Sequence, residues 1–185
     1  MPKHPHANVS VTIKSRKELL HWERGEHFDV ALASLPFEQR VFKKKSFISF
    51  PAVIAISNLN PLNKKNQIHI NDLHNENLIS LEPTGIFQTS IKKRLQDYNI
   101  EPVFKIQTTS MLQSAQMVEN NIGTAIIDPF IGHMIRSRKV IIKKLTPQIY
   151  FDYAYIWPEG RELSALAEEF ITELKKIANA VTKIN

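Results

Sequence analysis

Between residues 78 and 136 the sequence repeats one short pattern three times: an apolar run, a polar turn, then a stretch with helical periodicity. Leu78-Ile79-Ser80-Leu81 passes through Pro83-Thr84-Gly85 to a helix carrying Ile91, Leu95 and Tyr98. Val103-Phe104-Lys105-Ile106 passes through Thr108-Thr109-Ser110 to Met111, Ala115 and Val118. Thr124-Ala125-Ile126-Ile127 passes through Asp128-Pro129 to a short helix ending near Arg136. Parallel strands need a long crossover, usually a helix, so three such units in a row predict βαβ connections in an α/β protein. Val140-Ile141-Ile142 closes this part of the chain.

The flanking segments predict a second body. Val9-Ser10-Val11-Thr12-Ile13 alternates apolar and polar residues and predicts a strand. Lys17 to Arg24, with Leu19, Leu20 and Trp22, predicts a helix ended by Gly25. Val30-Ala31-Leu32-Ala33 predicts a buried strand stopped by Pro36. Phe47 to Ile56 is rich in β formers but holds Pro51, which cannot donate to a ladder. The pattern predicts a strand leaving one sheet and entering another, with a lobe boundary near residue 51. Asn58 to Pro61 predicts a turn and Lys64-Lys65-Asn66-Gln67 a solvated loop. Phe151 to Trp157 alternates again and is placed back in the first lobe. Leu163, Leu166, Ala167, Phe170, Ile171, Leu174, Ile177, Ala178 and Val181 predict a last helix with one buried face.

Composition excludes several functions. The 185 residues contain no cysteine, which removes disulfides, thiolate metal sites and cysteine catalysis. The five glycines stand apart, so there is no phosphate-binding glycine loop or nucleophile elbow. His69 and His74 are five apart with no carboxylate pattern, and His4 and His6 sit at the terminus; no metal and no cofactor is expected. The net charge is +6, but Lys43-Lys44-Lys45, Lys64-Lys65, Lys92-Lys93-Arg94 and Arg136-Ser137-Arg138-Lys139 are scattered rather than gathered on one recognition element. No apolar stretch is long enough for a membrane span, and the start has no apolar signal region, so a cytoplasmic location without membrane contact is expected. Nothing in the residues points to catalysis.

The candidate binding residues are the strand ends. In an open parallel sheet, ligands bind beyond the carboxyl ends of the strands, where helix N-termini present free N–H groups. Thr84-Gly85, Thr108-Thr109-Ser110 and Asp128-Pro129 all occupy such positions. The hydroxyls suit a carboxylate or a helix cap, and Asp128 suits an amine.

The order of elements resembles the effector-binding domain of LysR-type transcriptional regulators over nearly the whole chain. His4-Pro5-His6-Ala7-Asn8-Val9-Ser10-Val11 resembles the segment that leads into that domain's second strand. Glu18-Leu19-Leu20 to Gly25-Glu26-His27-Phe28-Asp29-Val30-Ala31-Leu32 resembles its helix-to-strand unit. Asn60-Pro61-Leu62, Ile70-Asn71-Asp72-Leu73 and Asn120-Asn121-Ile122-Gly123 through Pro129 resemble further family motifs. Ile79-Ser80-Leu81 and the Thr-Thr-Ser segment are closest to the subgroup of lysine-biosynthesis and opine-catabolism regulators.

The resemblance implies an α/β, two-lobed, type 2 periplasmic-binding-protein-like fold, each lobe a mixed, mostly parallel sheet flanked by helices. Lobe I would be residues 1–50 plus 146–185, lacking its first strand and helix, and lobe II residues 51–145. The crossings would fall near 49–53 and 143–150. A small organic acid or amino-acid-like effector would lie in the interlobe cleft, lined by Ser15, Ser34, Leu35 and Pro36 from lobe I. Thr84, Gly85, Phe87, Thr108, Thr109, Ser110, Asp128 and Pro129 would line it from lobe II. The implied role is inducer sensing, not catalysis, in a homodimer that reaches DNA only through a missing N-terminal helix-turn-helix domain. The alternatives are a stand-alone solute-binding module and a dimerisation module derived from such a regulator.

Overall fold

The computed structural model describes residues 4–15, 18–19, 28–38, 40–83 and 85–182. A three-stranded sheet holds β1 (Ala31–Ser34), β2 (Phe42–Pro51) and β9 (Tyr150–Pro158) in the order β1-β9-β2, with both pairings antiparallel. A four-stranded sheet holds β3 (Val53–Ser57), β4 (Gln67–His69), β7 (Ala125–Ile127) and β8 (Val140–Thr146) in the order β4-β8-β3-β7. Beyond β7, the parallel bridge Leu78↔Thr124 leads to the parallel pair β5 (Ser80–Leu81) and β6 (Gln107–Thr108).

The chain passes between the two sheets twice. The first passage is a single residue, Ala52, between β2 and β3, and the second is residues 147–149 between β8 and β9. Pro51 is the last residue of β2, where its missing N–H costs no ladder bond.

Helix α1 (Ile86–Asp97) follows β5, α2 (Met111–Glu119) follows β6 and α3 (Pro129–Met134) follows β7, in the predicted order. α1 buries Ile91 and Leu95, and α2 buries Ala115 and Val118. In this glycine-poor chain asparagine closes both helices: Asn99 and Asn121 take positive φ just beyond their ends. Gly123 has a different reason, since a Cβ there would lie 2.6 Å from the Asn77 carbonyl oxygen. Only glycine lets the start of β7 approach Asn77–Leu78 closely enough for the Thr124 N–H to reach that same oxygen at 2.8 Å.

Five expectations change. The three-stranded sheet is antiparallel in both pairings rather than mostly parallel, because the expected parallel neighbour Val9–Ile13 does not join it. Val9–Ile13 is not a strand: residues 8–13 are all exposed and pair with none of the described strands, and a ladder needs a neighbour. Val103–Ile106 is also not the second crossover strand. Val103 makes only a bridge to Asn77, Phe104 is exposed, and the paired strand comes later, at Gln107–Thr108. The expected loop at 64–67 instead contains the end of a 3-10 helix, Pro61–Lys64, and the start of β4. α4 (Ala165–Thr182) forms as expected, but its buried stripe is narrow. Ala167, Ile171 and Ala178 are buried and Leu174 half-buried, while Leu166, Phe170 and Ile177 face outward, because nine apolar positions span more arc than one sheet can cover. Of the expected helix at 17–24, Glu18 and Leu19 are helical; Leu20, Trp22 and Gly25 lie outside the described residues.

The largest core cluster spans both sheets. Phe50 and Phe151 come from the three-stranded sheet and Ile54, Ile56, Ile68, Ile126 and Leu145 from the four-stranded one. Burying each such side chain contributes roughly 1.5–3 kcal/mol, and here the contribution falls across the junction rather than inside one sheet.

Candidate functional site

Register and ring contacts bring the two sheets together at one place. Tyr153 of β9 sits opposite both Ser34 of β1 and Ile48 of β2. Side chains directly opposite on neighbouring strands share a face, so Ser34, Tyr153 and Ile48 look the same way. Phe50 and Phe151 pair two residues further along that face. The Phe50 ring stacks on Tyr153 at 5.4 Å and meets Phe130 of α3 edge-on at 4.8 Å. Phe87, at the start of α1, lies 4.4 Å from Phe151 and 5.5 Å from Tyr153. Five aromatic rings, three from the three-stranded sheet and two from the starts of α1 and α3, therefore pack together where the sheets meet.

The polar groups sit at the ends of β1, β6 and β7. Asp128 is buried and caps α3, its Oδ1 accepting the Ile131 N–H at 2.8 Å. Burial pushes its carboxyl above the ordinary carboxylate range, and the Ile131 and Phe130 amides offset part of that push. Burial also holds the Tyr153 phenol well above its usual range, with the Asp128 charge acting in the same direction. The register sets Tyr153 beside Ser34, and the Phe50 ring links Tyr153 to Phe130, two residues after Asp128.

At the end of β6, the Thr108 hydroxyl donates to Gln113 Oε1 at 2.8 Å and accepts the Ser110 N–H at 3.1 Å. Ser110 caps α2, its Oγ accepting the Gln113 N–H. Thr109 between them is exposed. Thr108 and Ser110 thus hold the turn, and Thr109 presents its side chain outward.

The remaining expected residues divide. Gly85 is the N-cap of α1, and Pro129 is buried at the first turn of α3. Leu35 donates its N–H to the Asp152 carbonyl at 2.8 Å and packs with the Ala33, Phe37, Phe42 and Ile156 cluster, away from the rings. Pro36 is exposed. The Ser15 backbone donates to Glu18 Oε2 at 2.6 Å while its hydroxyl accepts the Glu18 N–H, a reciprocal helix cap. These bonds pull Glu18 below its ordinary range. Thr84 lies outside the described residues.

Sequence reasoning missed Phe50, Tyr153 and Phe130, which join the two sheets, and Gln88. Gln88 is buried on α1 and accepts the Leu81 N–H at 2.9 Å, pinning the end of β5 to the helix. The odd-numbered aromatics Phe151, Tyr153, Tyr155 and Trp157 were the available signal, since period-2 spacing places all four on one face. Among the described residues no group of three or more metal-ligating side chains occurs, and no helix is long and apolar enough to cross a membrane.

A family model described as "LysR substrate binding domain" matches residues 1–178. The chain belongs to this family. Regulatory protein NocR of Agrobacterium tumefaciens strain T37 is 23% identical over 166 residues, covering 90% of this chain and 55% of NocR. The HTH-type transcriptional regulator DgcR of a Pseudoalteromonas species is 24% identical over 136 residues, covering 72% of this chain and 41% of that protein. The chain thus spans about half the length of the curated regulators it matches.

Solved LysR-type domains share the fold. The Synechocystis PCC6803 CcmR regulatory domain, in complex with 2-PG, superposes with a TM-score of 0.78 at 19% identity, covering 99% of this chain and 87% of that one. The BenM effector binding domain with its effector benzoate gives 0.77 at 17% identity, covering 96% and 83%. The two-lobed, periplasmic-binding-protein-like architecture of LysR effector domains is therefore the fold of this chain.

Proposed function

We propose that this LysR substrate-binding domain senses a small organic acid or amino-acid-like molecule in the gap between its lobes. Lobe I is residues 1–50 plus 146–185 and lobe II is residues 51–145. One observation supports the reading: in a chain of this family, Ser34, Thr109 and Asp128 stand at the ends of β1, β6 and β7, and rings from the three-stranded sheet, α1 and α3 pack together between the sheets.

The chemistry follows from these strand ends. Exposed Thr109 and the first N–H groups of α2 suit a carboxylate, through hydrogen bonds and the positive end of the helix dipole. The buried Asp128 carboxyl suits an amine. The rings of Phe50, Phe87, Phe130, Phe151 and Tyr153 occupy the space the ligand needs. Binding therefore favours a different lobe arrangement from the empty one, which is the population shift a sensor requires. The role is regulatory rather than catalytic, and DNA contact belongs to a helix-turn-helix segment outside these 185 residues.

A thermal-shift screen of amino acids, opines and aromatic acids tests the reading. A true effector at about 100 times its Kd stabilises by roughly 2.7 kcal/mol. At about 2–4 °C per kcal/mol for a chain of this size, the melting temperature rises by roughly 5–11 °C. Thr109→Val should weaken the shift without harming the fold, because that side chain is exposed, whereas Thr108→Val would also dismantle the α2 cap. No shift from any class at millimolar concentration overturns the reading. A shift untouched by both Thr109→Val and Asp128→Asn places the site elsewhere.

A further inference from the structure

A cavity of about 380 Å³ opens at the β2 side of the three-stranded sheet, against the C-terminal half of α4. Lys45 and Ser46 of β2, Tyr155 of β9 and Thr172, Lys175 and Lys176 of α4 line it, and no carboxylate does. None of Ser34, Thr109 and Asp128 reaches it. Its walls are held in place by packing and register. A register break between Ser46 and Ile48 bends β2 beside Lys45, and buried Phe47, Ile171 and Ala178 pack α4 onto that strand. Lys45 lies directly opposite Tyr155, so the two side chains share one face of the sheet. The Tyr155 ring is itself stacked on Trp157 at 5.6 Å.

The polar groups of this cavity are short of partners, unlike their neighbours. Lys43 bonds to Glu162 at 2.7 Å, Lys44 to the Phe37 carbonyl oxygen at 2.9 Å and Lys176 to Glu173 at 2.8 Å. Among the described residues, the ammonium groups of Lys45 and Lys175 and the hydroxyls of Ser46 and Tyr155 have no hydrogen-bond or ion-pair partner. Like charges gathered without a counter-ion repel, and a half-buried phenol gains from a partner for its O–H. An anion in the cavity offsets both.

We propose that this cavity binds a small phosphorylated metabolite, as a second ligand separate from the effector in the gap. Lysine acts as a point charge on a phosphoryl group, whereas a planar carboxylate is matched best by the two-pronged guanidinium of arginine. The lining holds three lysines and no arginine. The Ser46 and Tyr155 hydroxyls donate to phosphoryl oxygens, which accept from several directions. The volume is that of a small-molecule site. β2 ends at the first passage between the sheets, and β9 begins just after the second. A phosphate bridging Lys45, Tyr155 and α4 therefore ties together the strands that lead into both passages. The inference stands apart from the effector reading, since it uses none of the same side chains.

The test is calorimetric titration of the full 185-residue chain with inorganic pyrophosphate, at a fixed ionic strength of about 0.15 M to screen distant charges. The expected result is one saturable site. Lys45→Gln with Lys175→Gln should weaken it by about tenfold or more; both side chains are exposed, so the fold is spared. Lys64→Gln with Lys93→Gln removes the same charge at exposed positions outside the cavity and should leave binding unchanged. Thr109→Val with Asp128→Asn should leave it unchanged too. No saturable binding at millimolar pyrophosphate overturns the proposal. Equal weakening by the two lysine pairs also overturns it, by reducing the effect to general charge attraction. Loss of binding in the Thr109 and Asp128 variant would move the anion into the gap, and citrate binding as tightly as pyrophosphate would refute the phosphate assignment.

Discussion

Removing the Phe50 ring is the sharpest test of how the two lobes are joined. Phe50 is fully buried, and its ring meets Phe130 at 4.8 Å, Tyr153 at 5.4 Å and Phe151 at 6.3 Å. Truncating a buried phenylalanine costs roughly 3–5 kcal/mol. Aromatic pairs contribute about 0.5–1.5 kcal/mol each beyond burial, so three partners put Phe50→Ala near the top of that range. For a chain of this size the melting temperature should fall by roughly 6–20 °C. The ring belongs to a core fed by both sheets, so the transition should stay single and the slope with urea unchanged. Urea and thermal unfolding followed by circular dichroism and tryptophan fluorescence measure both quantities. Phe170→Ala is the control: that ring is 42% exposed on α4 and should cost under about 1 kcal/mol. A loss below about 1.5 kcal/mol at Phe50, or two separate transitions in the parent protein, would refute a shared core.

Two further substitutions probe the strand ends. The folded state holds the Asp128 proton more tightly than the unfolded chain does, so this group's contribution is complete below the ordinary carboxylate pKa of about 3.8 and is lost as pH rises through the raised folded value. Asp128→Asn keeps an oxygen for the Ile131 N–H without the buried charge. The variant should match the parent near pH 3.5 and equal or exceed it at pH 7; a loss above 1 kcal/mol at pH 7 only, by urea melts, would show that the charge stabilises the fold. Gly123→Ala drives a Cβ to 2.6 Å from the Asn77 carbonyl oxygen, a backbone atom with little room to move. It should cost about 1–3 kcal/mol; a neutral result would mean that the β5–β7 junction yields easily.

Much of this architecture was legible because periodicity and punctuation agreed. Pro51 marked the first passage between sheets, and the three strand–turn–helix phrases emerged in order as β5–α1, β6–α2 and β7–α3. Pairing was not legible. Val9–Ile13 and Val103–Ile106 have good strand patterns, but a strand exists only where a neighbour supplies hydrogen bonds, and the neighbour is a tertiary fact. The site was half legible for the same reason. Thr108–Ser110 and Asp128 announce themselves by position before a helix. Phe50, Phe130 and Tyr153 become neighbours only when segments a hundred residues apart close on each other.

The register of the three-stranded sheet also dictates an order of assembly during synthesis. Among the described strands β1 and β2 are joined through β9, whose Pro158 lies opposite Phe42. The ribosome adds roughly 5–20 residues per second, so both strands wait several seconds or more with their bonding edges bare. The β3–β8 sheet can close meanwhile, since its strands all lie between residues 53 and 146. The newborn chain thus has one finished half and one half held open by the absence of its middle strand. Slow translation before residue 150 lengthens the interval in which a chaperone, or another nascent copy, can reach the exposed edges.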